Sequence, residues 1–271
     1  MLKQRILAAL ILLPLFLVAL FYAPGWAWDG LLLAVIFLGA WEWARLARFG
    51  GSLAAVLLLG VLLECTLLKW QPLLVFPVVS AAGAFWVVLA PLWLWRRWSL
   101  RQPLILLLLG WMVLVPAWAA MSMGRDYFGA DGLLFLLGAV WLADSAAYFV
   151  GRAYGRHKLA PAISPGKTVE GVVGALLAVA IYVLVAVAVA GWPRNLPANM
   201  ALGLVPLFWV LTLASVVGDL FESWLKREAG AKDSGALIPG HGGVLDRIDS
   251  LTAVLPLALA LAYRFAEASV D

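Results

Sequence analysis

Apolar residues in this chain occur in long blocks, and short polar segments separate one block from the next. A transmembrane β-barrel would instead show apolar and polar positions in alternation. Nine blocks are about long enough to cross a bilayer as helices, which takes roughly 17–25 residues. They are residues 5–22, 29–47, 52–68, 72–94, 103–121, 132–150, 171–190, 200–221 and 251–265. The pattern therefore predicts an all-α fold, a polytopic transmembrane helical bundle of about nine spans.

The first block begins beside Lys3 and Arg5 and so has the outline of a secretory signal peptide. Its apolar run, however, is longer than the roughly 7–15 residues of a signal-peptide core, and eight further blocks follow it. We therefore expect this block to be a transmembrane span.

Basic residues are divided unequally between the two sides of the predicted bundle. With nine spans, the N-terminus shares a side with the loops after spans two, four, six and eight, and 15 of the 19 Lys and Arg residues lie on that side. Because Lys and Arg favour cytoplasmic loops, the N-terminus is predicted to be cytoplasmic. A wrong span count would mix the two sets of charges.

The composition excludes an ordinary soluble protein. Hydrophobic residues make up 65% of the 271 residues, charged residues make up 13%, and the mean hydropathy is +1.00, whereas soluble domains carry about 25% charged residues. We expect one integral membrane domain over residues 1–271, with five spans in 1–130 and a catalytic half with two cytoplasmic loops in 131–271. The net charge of +4 is explained by basic residues in the predicted cytoplasmic loops. It therefore does not indicate a nucleic acid partner, and none is predicted.

Tryptophan is abundant, with 15 residues. Trp28 and Trp43 are among those that fall near predicted span ends. Because Trp is enriched at membrane–water interfaces, we expect these residues to form an interfacial belt.

The first polar loop, residues 151–171, follows a span that contains polar side chains. At helical spacing, Asp144, Ser145, Tyr148 and Arg152 share one face, so a polar stripe should run out of the membrane here. An ionisable residue inside a span, such as Asp144, usually marks a cavity, a partner or a pathway. The alternative is that Asp144 only pairs with a nearby cation and locks the helices together.

The second polar loop runs from residue 218 to residue 250. Four of its residues follow one another at spacings of three or four and therefore share a helical face: Asp219, Glu222, Ser223 and Lys226. Glu222 and Lys226 could form a surface ion pair of about 0.2–0.5 kcal/mol. That pair would not account for Asp219, which lies deepest in the membrane and needs a cation or water there.

A glycine-rich stretch lies further along the second loop and contains Gly240, His241, Gly242 and Gly243. Such backbone can adopt positive φ and approach a ligand closely, as phosphate-binding loops do. Glycine-rich turns are common, however, so the stretch by itself is a weak signal. Asp246 and Asp249 follow it at the start of span nine, where a carboxylate can also cap the helix.

Cations are interspersed with the carboxylates of the second loop, which carries Lys226, Arg227, Lys232 and Arg247. Carboxylate oxygens are ligands that Mg²⁺ prefers, and lysine and arginine neutralise phosphates. Beside glycine-rich backbone, this mixture predicts a site for a magnesium nucleotide.

Several other chemistries lack the residues that they need. The single cysteine, Cys65, rules out an intrachain disulfide or a cysteine-based metal site, and two histidines, His157 and His241, are too few for a histidine-rich zinc or iron site. The sequence contains no Walker-type phosphate loop, GxSxG elbow or HExxH helix. Serine-hydrolase and metalloprotease functions are therefore disfavoured.

The second loop resembles the signature of the phosphatidate cytidylyltransferases, the CDP-diacylglycerol synthases of bacterial membranes. The matching residues are Ser223, Leu225, Lys226, Arg227, Lys232, Asp233, Gly235, Ile238, Pro239, His241, Gly242, Gly243, Val244, Asp246, Arg247, Ile248 and Asp249. The first loop is similar to the family's other characteristic segment through Ile163, Ser164, Pro165, Gly166, Lys167, Thr168, Glu170 and Gly171, with Asp144 before it. The resemblance covers about the C-terminal half, and the first five spans match only in being apolar.

The resemblance implies transfer of the cytidylyl group of CTP to the phosphate of phosphatidic acid, which gives CDP-diacylglycerol and pyrophosphate. It also implies Mg²⁺, alone or with a second cation, a homodimer, and a multi-pass position among the lipids of the inner membrane with the active site facing the cytoplasm. The residues suit this reaction: the nucleophile is already an anionic phosphate oxygen, so the main need is for cations that relieve the repulsion between two polyanions.

On this basis the two loops are expected to form one site. Catalytic roles are expected for Asp144, Lys167, Asp219, Lys226 and Asp246. Metal ligation is expected of Asp144, Asp219, Asp246 and Asp249. Substrate binding is expected of Ser164, Thr168, Ser223, Arg227, Lys232, His241, Gly242, Gly243 and Arg247.

Two other functions were weighed. An ion-coupled transporter would use Asp144 and Asp219 to carry cations at a broken helix, but the polar residues concentrate in cytoplasmic loops and no inverted repeat is visible. A CTP-dependent lipid kinase would transfer the γ-phosphate instead. Composition does not separate the kinase from the cytidylyltransferase, and the signature favours the latter.

Overall fold

The structure, a computed structural model, describes residues 2–99, 102–190, 198–237 and 242–268. Nine helices account for most of them: α1 (Leu2–Tyr22), α2 (Gly25–Leu46), α3 (Gly51–Trp70), α4 (Val75–Ala84), α5 (Ala90–Arg96), α6 (Pro103–Tyr154), α7 (Val169–Ala190), α8 (Ala198–Glu228) and α9 (Leu245–Ala268). A helix satisfies its own backbone hydrogen bonds, which lipid cannot do, so long apolar runs adopt this form. The all-α, polytopic fold class is confirmed.

Within the described chain, seven helical stretches are long and apolar enough to cross a membrane. One of them is α6, whose 52 residues cover two of the predicted spans and are interrupted at Gly129, where φ is 74°. Glycine tolerates this left-handed value because it has no Cβ. The count of nine spans and the orientation of the N-terminus stay predictions.

The predicted fourth span is irregular. It begins with the 3-10 turn Pro72–Leu74, continues as α4, passes through the π-helical turn Phe85–Leu89 and ends as α5. The π turn places Phe85 and Trp86 edge-on against Phe221 of α8, each with ring centroids 5.5 Å apart. This aromatic contact joins the N-terminal half of the chain to the helix that carries Asp219.

The helices α6, α7, α8 and α9 pack against one another, and α2, α3 and α4 pack on α6. Close approach needs small residues: a Cβ on Gly110 of α6 would lie 3.0 Å from both Trp43 and Leu57. Trp43 is 2% exposed and donates its indole N–H to the carbonyl of Leu106 at 3.0 Å, and Trp28 is 1% exposed. The prediction of an interfacial belt is therefore wrong for Trp28 and Trp43, which are packed inside the protein.

The first loop contains a short antiparallel hairpin that the sequence pattern did not predict. Its strands are β1 (Lys158–Ala160) and β2 (Ser164–Thr168), with Lys158 opposite Thr168. Glu170, in the first turn of α7, accepts the backbone N–H groups of Arg156 and His157 and pairs with the His157 ring at 2.6 Å. These contacts hold the hairpin at the start of α7.

The helices at the second loop are longer than the predicted spans. Helix α8 continues to Glu228, beyond the predicted end at residue 221, and α9 begins at Leu245, before the predicted start at residue 251. Asp246 and Asp249 therefore belong to the first turns of α9. The loop between the two helices is correspondingly shorter, and residues 238–241 lie outside the described part.

Candidate active site

Lys167 is the point at which the hairpin meets the helices. It lies on β2, and its ammonium is 2.7 Å from a carboxylate oxygen of Asp219 on α8. The two side chains keep 22% and 32% of their surface exposed. The first and second loops therefore meet at this ion pair, as predicted.

Two more carboxylates lie near this ion pair. Asp144 is exposed and accepts a hydrogen bond from the hydroxyl of Ser215 at 3.3 Å. The charges of Asp144 and Asp249 both interact with that of Asp219. We call Asp144, Lys167, Asp219 and Asp249 the Lys167 group. Lys167 pairs with Asp219, and Asp144 and Asp249 add two further carboxyl groups beside that pair.

A glycine allows α8 and α9 to bring these carboxylates together. A Cβ on Gly218 would lie 2.7 Å from the carbonyl oxygen of Asp249 and 3.1 Å from the Cβ of Ala253. Any larger residue at 218 would push the two helices apart. The close approach is what places Asp219 beside the first turns of α9.

A second lysine is buried between two carboxylates. The ammonium of Lys226 is 2.8 Å from Glu222 and 2.6 Å from Asp246, and the three side chains, which we call the Lys226 group, are between 7% and 12% exposed. The predicted pairing of Glu222 with Lys226 is correct, but its placement on the surface is wrong. A buried pair depends on complete partnering far more than an exposed one, because lost solvation must be replaced.

Asp246 is fully engaged by the protein. One of its carboxylate oxygens contacts Lys226, and the other accepts the backbone N–H of Ser234 at 3.0 Å, the Ser234 hydroxyl at 2.9 Å and the backbone N–H of Gly243 at 2.8 Å. Asp246 therefore holds Ser234 and Gly243 close to each other.

Glu42 on α2 is a member of this site that the sequence analysis missed. Its carboxylate is 0% exposed and accepts the backbone N–H groups of Val244 at 3.0 Å and Leu245 at 2.9 Å. It also lies 2.9 Å from the Ser234 hydroxyl, whose single proton it shares with Asp246. It thus caps the N-terminus of α9 from a distant part of the chain. The signal in the sequence was an acidic residue inside the second predicted span, which deserves the same reading as Asp144.

The glycines of the second loop are explained by these carboxylates. A Cβ on Gly235 or Gly243 would lie 2.4 Å from an oxygen of Glu42, and Gly242 has a φ of 82° with Asp246 2.6 Å from where its Cβ would stand. The predicted positive φ is found at Gly242. The close approach seen here is to protein carboxylates, and the predicted contacts of Gly242 and Gly243 with substrate stay predictions.

The other predicted substrate-binding residues are placed differently from one another. Arg227 donates to the carbonyls of Ile163 and Ala231 at 3.2 and 3.3 Å, and Thr168 is buried, where its hydroxyl accepts the N–H of Gly171 at 3.1 Å. The remaining positions are Ser223, which donates to Asp219 at 3.3 Å, partly buried Ser164, and exposed Lys232 and Arg247. His241 lies outside the described residues.

The donor set was tested for its fit to a divalent cation. In the described part of the chain, no three carboxylate, His or Cys side chains already form a metal cage. Mg²⁺, however, is usually held by one or two carboxylates together with substrate phosphates and water. Asp219 and its carboxyl neighbours offer hard oxygen donors, and the buried Oε1 of Glu222 has no hydrogen-bond partner among the described residues. These features fit a cation.

Comparison with known proteins agrees with the geometry. The profile of the cytidylyltransferase family matches residues 3–265. A phosphatidate cytidylyltransferase of Pseudomonas aeruginosa is 40% identical over 96% of this chain and 97% of its own length, and one of Haemophilus influenzae is 39% identical over 94% and 96%. A third, from Brucella suis, is 48% identical over 54% of this chain and 52% of its own length.

The family match extends well beyond the two loops that carry the resemblance seen in the sequence. It includes the N-terminal half, where Glu42 lies. The chain belongs to the cytidylyltransferase family.

Proposed function

We propose that this chain transfers the cytidylyl group of CTP to phosphatidic acid and so makes CDP-diacylglycerol and pyrophosphate. The observation that carries the proposal is the 40% identity to a phosphatidate cytidylyltransferase over nearly the whole of both chains. The joining of both loops at Lys167 and Asp219 supports it, because one compact charged site is what two polyanionic substrates require.

In this reaction an oxygen of the phosphatidic acid phosphate forms a bond to the α-phosphorus of CTP. The bond from that phosphorus to the bridging oxygen breaks, and pyrophosphate leaves with the electron pair. The attacking oxygen is already anionic, so the protein has to hold the two phosphates in line and offset their charge. Exposed Arg247 and Lys232 can reach the phosphates, and Lys167 stands beside the carboxylates.

We assign the Lys167 group to the metal, with Asp219 as the principal ligand and Asp144 and Asp249 beside it. Mg²⁺ bound there, alone or with a second cation, would supply the positive charge that neutralises the phosphates of CTP. Asp246 was predicted as a metal ligand together with Asp219, with Asp144 and Asp249 as further ligands, and in this structure both oxygens of Asp246 already have protein partners. Lys226 holds Asp246 and Glu222 in place.

The deciding experiment uses purified protein, phosphatidic acid, Mg²⁺ and CTP labelled at either the α- or the γ-phosphate. The proposal expects α-label in the lipid and release of pyrophosphate. Appearance of γ-label in the lipid would identify a lipid kinase instead. If neither the α-label nor the γ-label entered the lipid, both activities would be refuted.

We also propose that the enzyme lies in the inner membrane with this site facing the cytoplasm, where CTP is found. The unequal distribution of Lys and Arg supports this orientation. A reporter enzyme fused after Asp271 should be active outside the cytoplasm, and cytoplasmic activity would contradict the nine-span topology. A homodimer, implied by the family, is to be tested by cross-linking in the membrane.

A further inference from the structure

Glu42 has an unusual set of partners for a buried acid. Its described polar contacts are two backbone N–H groups at the start of α9 and the hydroxyl of Ser234, all within the second loop. Val244 and Leu245 lie 202 and 203 positions away from Glu42 in the chain. A buried carboxylate is costly unless it is hydrogen-bonded, and the positive end of the α9 macrodipole lowers that cost.

Glu42 and Asp246 hold the same piece of chain. We call residues 234–245 the glycine-rich segment. The Ser234 hydroxyl is 2.9 Å from both carboxylates, at one end of the segment. At the other end, Gly243 donates to Asp246, and Val244 and Leu245 donate to Glu42. The two carboxylates therefore fix both ends of the segment together.

Gly235 and Gly243, near the two ends of the segment, lie close against the Glu42 side chain. At Gly235 and at Gly243 there is no room for even a Cβ, because an oxygen of Glu42 would be 2.4 Å away. If this space served only for packing, an apolar side chain would fill it at a lower desolvation cost. The carboxylate instead supplies directional acceptors for three specific donors, which is how a loop is held in one conformation.

We propose that Glu42 is a positioning residue for the cytidylyl transfer. It ties Ser234 and the start of α9 to α2 and so sets where the first turns of α9 present their groups to the substrates. The N-terminal half of the chain thereby takes part in catalysis without touching the substrates. This inference rests on the proposed function.

The test is the variant Glu42→Gln. It keeps the size of the side chain but turns one acceptor into an amide that faces a backbone N–H group. We expect kcat to fall at least tenfold while the amount of protein in the membrane is unchanged. The matched control is Glu64→Gln on α3, the same change in a partly buried acid of the next helix, which should keep kcat within twofold.

A second readout needs neither CTP nor metal. Val244, 8% exposed, is changed to Cys in a Cys65→Ala background, and the rate of maleimide labelling is measured. Glu42→Gln should raise this rate at least tenfold because the end of the segment is released, and Glu64→Gln should leave it unchanged. Wild-type kcat in Glu42→Gln, or a lower kcat with an unchanged labelling rate, would overturn the proposal.

If the Glu42→Gln protein does not accumulate in the membrane, Ser234→Ala is tested in its place. It removes only the hydroxyl between the two carboxylates and should lower kcat and raise the labelling rate in the same way. If the unmodified protein transferred no cytidylyl group, the proposed function would fail, whereas labelling would still decide whether Glu42 fixes the segment.

Discussion

The Lys167 group and the Lys226 group are built from the same kinds of side chain and differ in how completely they are partnered. In the Lys226 group the ammonium contacts two carboxylates, and Asp246 accepts three further hydrogen bonds, all with little exposure. In the Lys167 group the one described ion pair joins Lys167 to Asp219, and both side chains stay partly exposed.

This difference indicates that one group organises the site and the other binds its ligands. Apart from Oε1 of Glu222, the Lys226 group already has protein partners. Such a buried group rigidifies the protein and has little left to offer a ligand, because most contacts with a ligand would replace existing ones. A partly exposed carboxylate such as Asp219 can bind a cation at smaller cost. We therefore assign the organisation of the second loop to the Lys226 group and the binding of metal and phosphate to the Lys167 group.

The largest effect is expected from Asp219→Asn. Loss of its charge should lower kcat by roughly 100- to 1,000-fold, the range found when one preorganised electrostatic contact is removed. Membrane abundance and thermal stability should stay near those of the unmodified protein, because Asp219 is partly exposed. Initial rates with α-labelled CTP measure kcat, and a melting curve in detergent measures the thermal stability. Near-normal turnover would exclude Asp219 as a metal ligand.

Lys226→Met should act mainly on stability. It leaves Glu222 and Asp246 buried beside each other without their cation, a change that costs about 3–5 kcal/mol. Thermal unfolding in detergent should show a much lower midpoint than for Lys167→Met, whose effect should be on rate. Adding Glu222→Gln to Lys226→Met should restore part of the stability. A double variant no more stable than the single one would argue against the buried pair.

The variant Gly218→Val tests whether the Lys167 group and the Lys226 group both depend on the close crossing of α8 and α9. The added side chain must displace α9, where the Asp249 carbonyl leaves no space, and overpacking of this kind costs about 1–3 kcal/mol. Activity should fall at least tenfold although no charged residue has changed. The control is Gly203→Val on the same helix, where a Cβ has nothing within 4 Å. Equal effects of the two substitutions would show that activity does not depend on the close approach at Gly218.

The smallest expected effect is stabilisation by Mg²⁺. At ten times its Kd, a ligand that binds only the folded state adds about 1.4 kcal/mol, which should raise the melting temperature by a few degrees. The shift should disappear in Asp219→Asn and persist in Glu222→Gln. Chelation by EDTA should abolish turnover and reverse the shift. Loss of the shift in Glu222→Gln alone would move the metal to the Lys226 group.

The sequence predicted well those features that depend on short stretches of chain. Apolar blocks became helices, because lipid leaves the backbone no other partner. The shared face of Asp219, Glu222 and Lys226 also followed from helical spacing alone. Boundaries were less accurate at α9, whose first turns are polar and were therefore assigned to the loop.

Contacts between distant parts of the chain could not be predicted in this way. The hairpin that carries Lys167 is too short and too polar to show a strand pattern, and nothing near Glu42 in the sequence indicates that it binds Ser234 or Val244. Trp28 and Trp43 lie near span ends in sequence, yet helix packing buries them.

The sequence alone therefore determined the membrane class, the chemistry available in each loop and the family resemblance, because these depend on which residues are present and on local spacing. Only the tertiary structure decided which carboxylates are engaged by the protein and which remain accessible. The physical reason is that a charge inside a membrane protein takes its role from the partners that replace its water. Those partners, such as Asp219 for Lys167, come from helices that meet only in the folded bundle.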